Sequence, residues 1–322
     1  MSVPSFSQPY AVIFPGQGAQ YVGMGKELFD KYPAARRVFE AANEALGFDL
    51  TRYCFEGPLP ELTRSAICQP AIVTVSIAAW EALKQGIPAL PLPAACAGLS
   101  LGEYAALVAC DSINFRDAVC LVHKRGAFMD EASQQNPGTM SCILGLEESQ
   151  VDEVCRNTGA EIANLNCPGQ VVISGTNSAI AQTNEKLQAV GAKRVIPLEV
   201  SGPFHCSLMK PAADKLKVEL AKITINAPKV GFLSNVSGDY ASTPSQINAY
   251  LCEQVDHTTK WWKSIEAMQR QNIRIFYEIG PGKVLRGLLQ RIDKSLEVFN
   301  VEKAADIEQL IKGREERNEP KG

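Results

Sequence analysis

Pro93-Ala94-Ala95-Cys96-Ala97-Gly98-Leu99-Ser100-Leu101-Gly102-Glu103-Tyr104-Ala105-Ala106-Leu107-Val108 is the stretch that decides how this chain is read. Small apolar residues, a G-x-S-x-G turn and an apolar helix-forming run follow one another, which is the order strand, sharp turn, helix. The flanking glycines allow a turn tight enough to lift the Ser100 hydroxyl above a sheet edge. The helix start behind it offers free N–H groups and a positive dipole end to a developing oxyanion. A bare G-x-S-x-G also describes a glycine-flanked turn with a capping serine; the flanks favour a nucleophile.

Outward from that stretch, short β-rich runs alternate with helix-period segments: 10–14, 94–98, 230–233, 273–279 and 298–301. This alternation predicts a mostly parallel sheet covered by helices. A different rhythm fills 138–200: strand 139–144, helix from 147, strands 160–164 and 170–175, helix 177–190 and strand 193–198. The order β-α-β-β-α-β is ferredoxin-like, and about 60 residues suits such a unit. The expected architecture is an α/β core, residues 1–137 and 201–311, carrying an inserted ferredoxin-like subdomain at 138–200. The apolar-poor run from Lys312 to Gly322 reads as a solvated or disordered tail.

The composition narrows the function. Of 322 residues, 46% are hydrophobic and 21% charged, and 32 basic against 35 acidic side chains leave a net charge of −3. No like-charge run exists to hold nucleic acid or an anionic membrane. No apolar stretch reads as approaching the ~18 residues of a spanning helix, and the first residues lack a leader pattern, so the expected location is cytoplasmic. The ten cysteines are scattered without C-x-x-C, as buried thiols are. His123, His205 and His257 share no zinc-ligand spacing, so no metal is expected.

A nucleophilic serine needs a base. His123 falls mid-helix and His257 in a polar loop, where solvated imidazoles are expected, whereas His205 lies in Ser201-Gly202-Pro203-Phe204-His205-Cys206-Ser207-Leu208-Met209, between an extended run and a helix. Such junctions present side chains at the carboxyl edge of a parallel sheet. The turn Phe14-Pro15-Gly16-Gln17-Gly18-Ala19-Gln20 fails as a dinucleotide fingerprint, because Tyr21 stands where the third glycine belongs. It fails as a P-loop because Met24 replaces the lysine; it can still offer N–H groups to an oxyanion. Arg125 sits beside the buried stripe of a helix over 114–132, between Val122 and Met129. Its planar fork calls for an internal carboxylate or that of a substrate.

Together these features resemble the malonyl-CoA:acyl carrier protein transacylase family over about residues 14–291. The motifs are FPGQGAQYVGMG at 14–25, SAICQPAI at 65–72, GLSLGEYAAL at 98–107, HKRGAFM at 123–129, NCPGQVVISG at 166–175, GPFHCSLM at 202–209, Gln254 ahead of Trp261, and EIGPGKVLRGL at 278–288. The resemblance implies an α/β-hydrolase-like core, Ser100 as acyl-accepting nucleophile and His205 as its base. It implies Gln17 and Leu101 N–H groups as the oxyanion hole, the Gln254 carbonyl as orienter of the histidine, and Arg125 as partner of the malonyl carboxylate. Gln69, Met129 and Asn166 would line the pocket, and Phe204 is similar to members that favour malonyl over bulkier groups.

The implied reaction moves malonyl from malonyl-CoA to the phosphopantetheine thiol of an acyl carrier protein, with no permanently bound cofactor, in fatty-acid synthesis. The family usually carries histidine immediately before the nucleophile, and this chain has Leu99. That position is not the base, so the chemistry is retained while a hydrogen-bonding group gives way to a hydrocarbon. Three other readings use the same residues: a serine hydrolase with water as acceptor, a trans-acting acyltransferase of polyketide synthesis, and a silent interaction module.

Overall fold

The structure, a computed structural model, describes residues 8–318. Among the described residues, ten strands form two sheets. β1 (Tyr10–Phe14), β2 (Ala95–Gly98), β7 (Gly231–Ser234), β8 (Asp239–Tyr240), β9 (Ile275–Ile279) and β10 (Glu297–Val301) build the larger, in the order β10-β9-β1-β2-β7-β8. Every pairing in it is parallel except β7 with β8. β1 and β9 are buried at all five positions, as strands covered by helices on both faces must be. Alternation splits β1 between two cores: Val12 and Phe14 face one apolar cluster, Ala11 and Ile13 the other.

The second sheet lies within 138–197. β3 (Gly138–Leu144), β4 (Glu161–Cys167), β5 (Gln170–Thr176) and β6 (Arg194–Pro197) run antiparallel in the order β4-β5-β3-β6. Helices Glu148–Arg156 and Asn177–Ala189 complete the ferredoxin-like sequence of elements. This sheet is stitched to the core by backbone. The Thr259 N–H donates to the Ala163 carbonyl at 2.8 Å, the Leu165 N–H donates to the Thr259 carbonyl at 2.9 Å, and Asn164 pairs with Thr259 in parallel.

The EIGPGKVLRGL segment has a structural duty. Glu278, fully buried at the end of β9, accepts the N–H groups of Leu285 and Arg286, both at 2.9 Å. It thereby satisfies the free donors at the start of helix Val284–Ile292.

Three expectations need correction. Helix Ser65–Gly86 is long and apolar enough to cross a membrane, contrary to the reading that no such stretch exists. It is the core helix of this fold: 83% of its most apolar window is buried inside the protein. Polar residues Gln69, Thr74 and Ser76 interrupt its apolar run and disguise it in the sequence. The charged run from Lys312 continues helix Ala304–Asn318, since Lys, Arg and Glu are good helix formers; 319–322 lie outside the described residues. His123 is not a solvated imidazole: its Nδ1 lies 2.7 Å from the Ala66 carbonyl, and its ring packs on Phe48.

That His123 contact joins helix Phe115–Gln135 to helix Ser65–Gly86, and Gly126 sets their separation. A Cβ at Gly126 would stand 2.3 Å from the Ser65 carbonyl oxygen. Gly126→Ala is therefore expected to force these helices apart at a cost of ~1–3 kcal/mol, seen as a lower midpoint of urea unfolding. An unchanged midpoint would show that the crossing is not tight.

Candidate active site

β1 and β2 fix the elbow. The Leu99 N–H donates to the Phe14 carbonyl at 3.1 Å, and the chain then turns through Ser100 at φ 51° into helix Gly102–Ala109. A non-glycine residue there is strained by roughly 1–3 kcal/mol and needs its surroundings to hold it. Its glycine neighbours make room: a Cβ at Gly98 would stand 1.9 Å from the Gly102 carbonyl carbon, and one at Gly102 2.2 Å from the Phe14 oxygen. Asn235 completes the grip, accepting the Ser100 N–H at 2.5 Å and donating from Nδ2 to the Gly98 carbonyl at 2.7 Å.

His205 reaches the elbow from an unexpected direction. It leaves no strand of the parallel sheet. It sits in the loop that returns from β6 to helix Lys210–Leu220, at φ 59°, with its N–H donating to the Val255 carbonyl at 3.1 Å. Its Nε2 lies 2.7 Å from Ser100 Oγ, and its Nδ1 lies 2.8 Å from the Gln254 main-chain carbonyl. That carbonyl can only accept, so Nδ1 carries the proton and Nε2 is left free to take one from Ser100. The Thr259 hydroxyl stands 3.4 Å from Nδ1, so the residue that pairs with β4 also touches the imidazole. A cleft of about 640 Å³ between helix Glu148–Arg156 with β4 and the segment 256–260 opens onto His205.

Arg125, 1% exposed, answers the question left open by the sequence: among the described residues it has no direct carboxylate partner. Nη1 donates to Gln69 Oε1 at 2.8 Å. Nη2 donates to Ser100 Oγ at 3.1 Å and to Gln254 Oε1 at 3.0 Å. Gln69 Nε2 in turn donates to Gln17 Oε1 and to Met129 Sδ, each at 3.4 Å. The guanidinium is thus held over the serine by neutral oxygens.

Of the two expected oxyanion donors, Gln17 lies in the loop after β1 and Leu101 at the start of the elbow helix. Neither backbone N–H has an acceptor among the described residues. Phe204 is buried beside the histidine, and half-buried Leu99 packs on the second apolar cluster. Asn166 is not joined to this network; its buried Oδ1 has no partner among the described residues.

The sequence reading passed over Asn235 and Glu103. Glu103, 1% exposed, accepts the Asn235 N–H at 2.6 Å and a hydrogen bond from Gln254 Nε2, which also donates to the Ser100 carbonyl at 2.9 Å. A carboxylate three residues after the serine, immediately before the apolar stretch Tyr104-Ala105-Ala106-Leu107-Val108, was the available signal. Asn235 left no comparable mark. Burial raises Glu103 to about 7, against the pull of its hydrogen bonds and Arg125. Burial, with the Arg125 charge second, lowers His205 to about 4. The imidazole is therefore neutral at pH 7 and able to act as a base.

A fold of this kind, with a serine elbow facing a histidine under a second sheet, places the chain among the acyl transferases, and the family model described as the acyl transferase domain matches residues 11–320. Relatives narrow it. The malonyl CoA-acyl carrier protein transacylase of Bacillus subtilis is 44% identical over 315 residues, 96% of this chain and 98% of that protein. The solved structure of the transacylase from Clostridium perfringens superposes with a TM-score of 0.91 at 41% identity, covering 96% of this chain and 98% of that one. A malonyl-transacylase solved with its type II PKS acyl-carrier protein gives 0.91 at 36%, covering 95% and 99%. The chain belongs to the malonyl CoA-acyl carrier protein transacylase family.

A folded pKa of about 4 for His205 sets an expected pH profile. Because only the neutral ring accepts a proton, kcat/KM for Ser100 acylation by acetyl-CoA, which reports the free enzyme and leaves the Arg125 charge unpaired, should be flat from pH 7 to about 5. It should fall towards about tenfold per unit below about 4, as rapid-quench mass spectrometry would record. A fall centred near 6.5, where a free imidazole titrates, would contradict the buried neutral base.

Proposed function

We infer that this protein transfers a malonyl group from malonyl-CoA to the phosphopantetheine thiol of an acyl carrier protein, through an acyl-enzyme on Ser100. The observation that carries the reading is the line from Gln254 carbonyl to His205 to Ser100 Oγ, with the Arg125 guanidinium 3.1 Å from that same oxygen. Ser100 gives its proton to His205 Nε2 and attacks the thioester carbonyl, and the Gln17 and Leu101 N–H groups take the oxyanion. One such donor is typically worth ~3–4 kcal/mol in the transition state. Collapse expels the coenzyme A thiolate, which takes the proton from His205. The pantetheine thiol then enters, gives its proton to His205 and attacks the acyl carbonyl; collapse breaks the ester bond, returns that proton to Ser100 Oγ and leaves the malonyl on the carrier.

Arg125 selects the acyl group. A malonyl carboxylate replaces neutral oxygens with a charged, bidentate partner, while an acetyl group offers nothing in exchange. Gln69 and Met129 hold the arginine's surroundings, Phe204 limits the bulk beside the histidine, and Asn166, on β4, is assigned to the pocket by the resemblance alone. The ferredoxin-like subdomain at 138–200 closes over the core of 1–137 and 201–311, in a cytoplasmic protein of fatty-acid synthesis. A polyketide carrier as acceptor is the second reading, supported by the likeness to a transacylase solved with such a carrier.

Arg125→Ala is expected to lower kcat/KM for malonyl-CoA by 100-fold or more (about 3 kcal/mol) while acetyl transfer changes less than tenfold. Equal losses on both would remove the clamp role. Following malonyl in the presence of carrier also separates transferase from hydrolase: free malonate outrunning malonyl-carrier would favour hydrolysis.

A further inference from the structure

Glu103 has no part in the steps above, yet it is a carboxylate sealed behind the nucleophile at 1% exposure. One amide separates it from Arg125. Gln254 Nε2 donates to the carboxylate, and Gln254 Oε1 accepts from Arg125 Nη2 at 3.0 Å. Because Nε2 is committed to Glu103 and to the Ser100 carbonyl, Oε1 must face the guanidinium. The remaining groups near Glu103 are readily named. Arg125 faces it from helix Phe115–Gln135, Tyr104 adjoins it on its own helix, and His205 stands across Gln254. The segment after β7 contributes the Asn235 N–H and the Ser234 hydroxyl, both neutral. The empty site therefore holds one buried cation and one buried anion that never touch.

A substrate carboxylate upsets that balance. With malonyl on Arg125, two anions would share one cation in a volume closed to water, and buried charge without a partner is costly. We propose that Glu103 is the exchangeable counter-charge of Arg125: its carboxylate balances the guanidinium through the Gln254 amide while the site is empty, and it takes up one proton from solvent when a malonyl carboxylate binds. This inference rests on the clamp role proposed for Arg125. Glu103 is poised for the exchange, since burial has already brought it to about 7. The Ser234 hydroxyl beside it can accept the acid's new O–H. No other bond is made or broken; the proton comes from buffer and returns to it when the acyl group leaves.

Titration calorimetry of the Ser100→Ala protein with malonyl-CoA, in buffers of unlike ionisation enthalpy, counts the protons without thiol release. Uptake should be about half a proton at pH 7 and approach about one at pH 8, with acetyl-CoA giving none. Glu103→Gln in the same protein should abolish the difference. Equal uptake with both thioesters would overturn the proposal. Adding Arg125→Ala separates the two readings: unchanged malonyl-CoA affinity would sink the clamp itself, whereas a tenfold or larger loss, with no malonyl-linked uptake in the protein that retains Arg125, would sink only the exchange. The wild-type enzyme gives an arm that needs no variant. Its malonyl-to-acetyl ratio of kcat/KM should fall above pH 7 towards tenfold per unit, and a pH-independent ratio would overturn the proposal.

Discussion

A guanidinium shut away from water must find oxygen acceptors inside the protein, and much of this site follows from where Arg125 finds them. Its three acceptors belong to Gln69, Ser100 and Gln254, and none of these carries a charge. Had Glu103 reached it directly, the arginine would be fully matched and a substrate carboxylate would gain little by binding. The Gln254 side chain prevents that pairing, while its main-chain carbonyl fixes the proton on His205. The partners of the guanidinium and the tautomer of the imidazole thus depend on one residue held in one orientation.

The two residues that meet at 2.7 Å are both non-glycine residues in left-handed backbone. Strain of this kind persists only where the surroundings over-determine it. Ser100 is held by Asn235 and the flanking glycines, and His205 by Val255, Gln254 and the neighbouring Thr259. Two rigid clasps, one from each side of the cleft, present the hydroxyl and the imidazole to each other, so little rearrangement is needed when a thioester arrives.

What could be read from the sequence was whatever has a period or a tight local spacing. The parallel strands, the elbow glycines and the β-α-β-β-α-β rhythm all obey rules that act within ten residues, and each lies within a few positions of its expected place. The long helix at 65–86 escaped notice because its polar residues break the apolar run while facing protein rather than water. The partners of Arg125 and the role of Asn235 were invisible for another reason. They join residues 25 to 137 positions apart, and no local pattern records which distant side chain meets a given donor. The residue type and loop of His205 point to its contact with Ser100, although the loop comes from the antiparallel sheet rather than from the parallel sheet's carboxyl edge.

The parallel bridge between Asn164 and Thr259 bears on how such proteins can be recombined. By chain order the ferredoxin-like sheet looks like a cassette that could be exchanged between relatives at its two ends. Yet one of its edge strands continues, through two backbone hydrogen bonds, into the segment that carries the carbonyl and hydroxyl on the imidazole. A chimera cut only at the chain junctions would splice a foreign strand onto a native clasp. The heritable module is discontinuous, and 254–260 has to travel with the sheet.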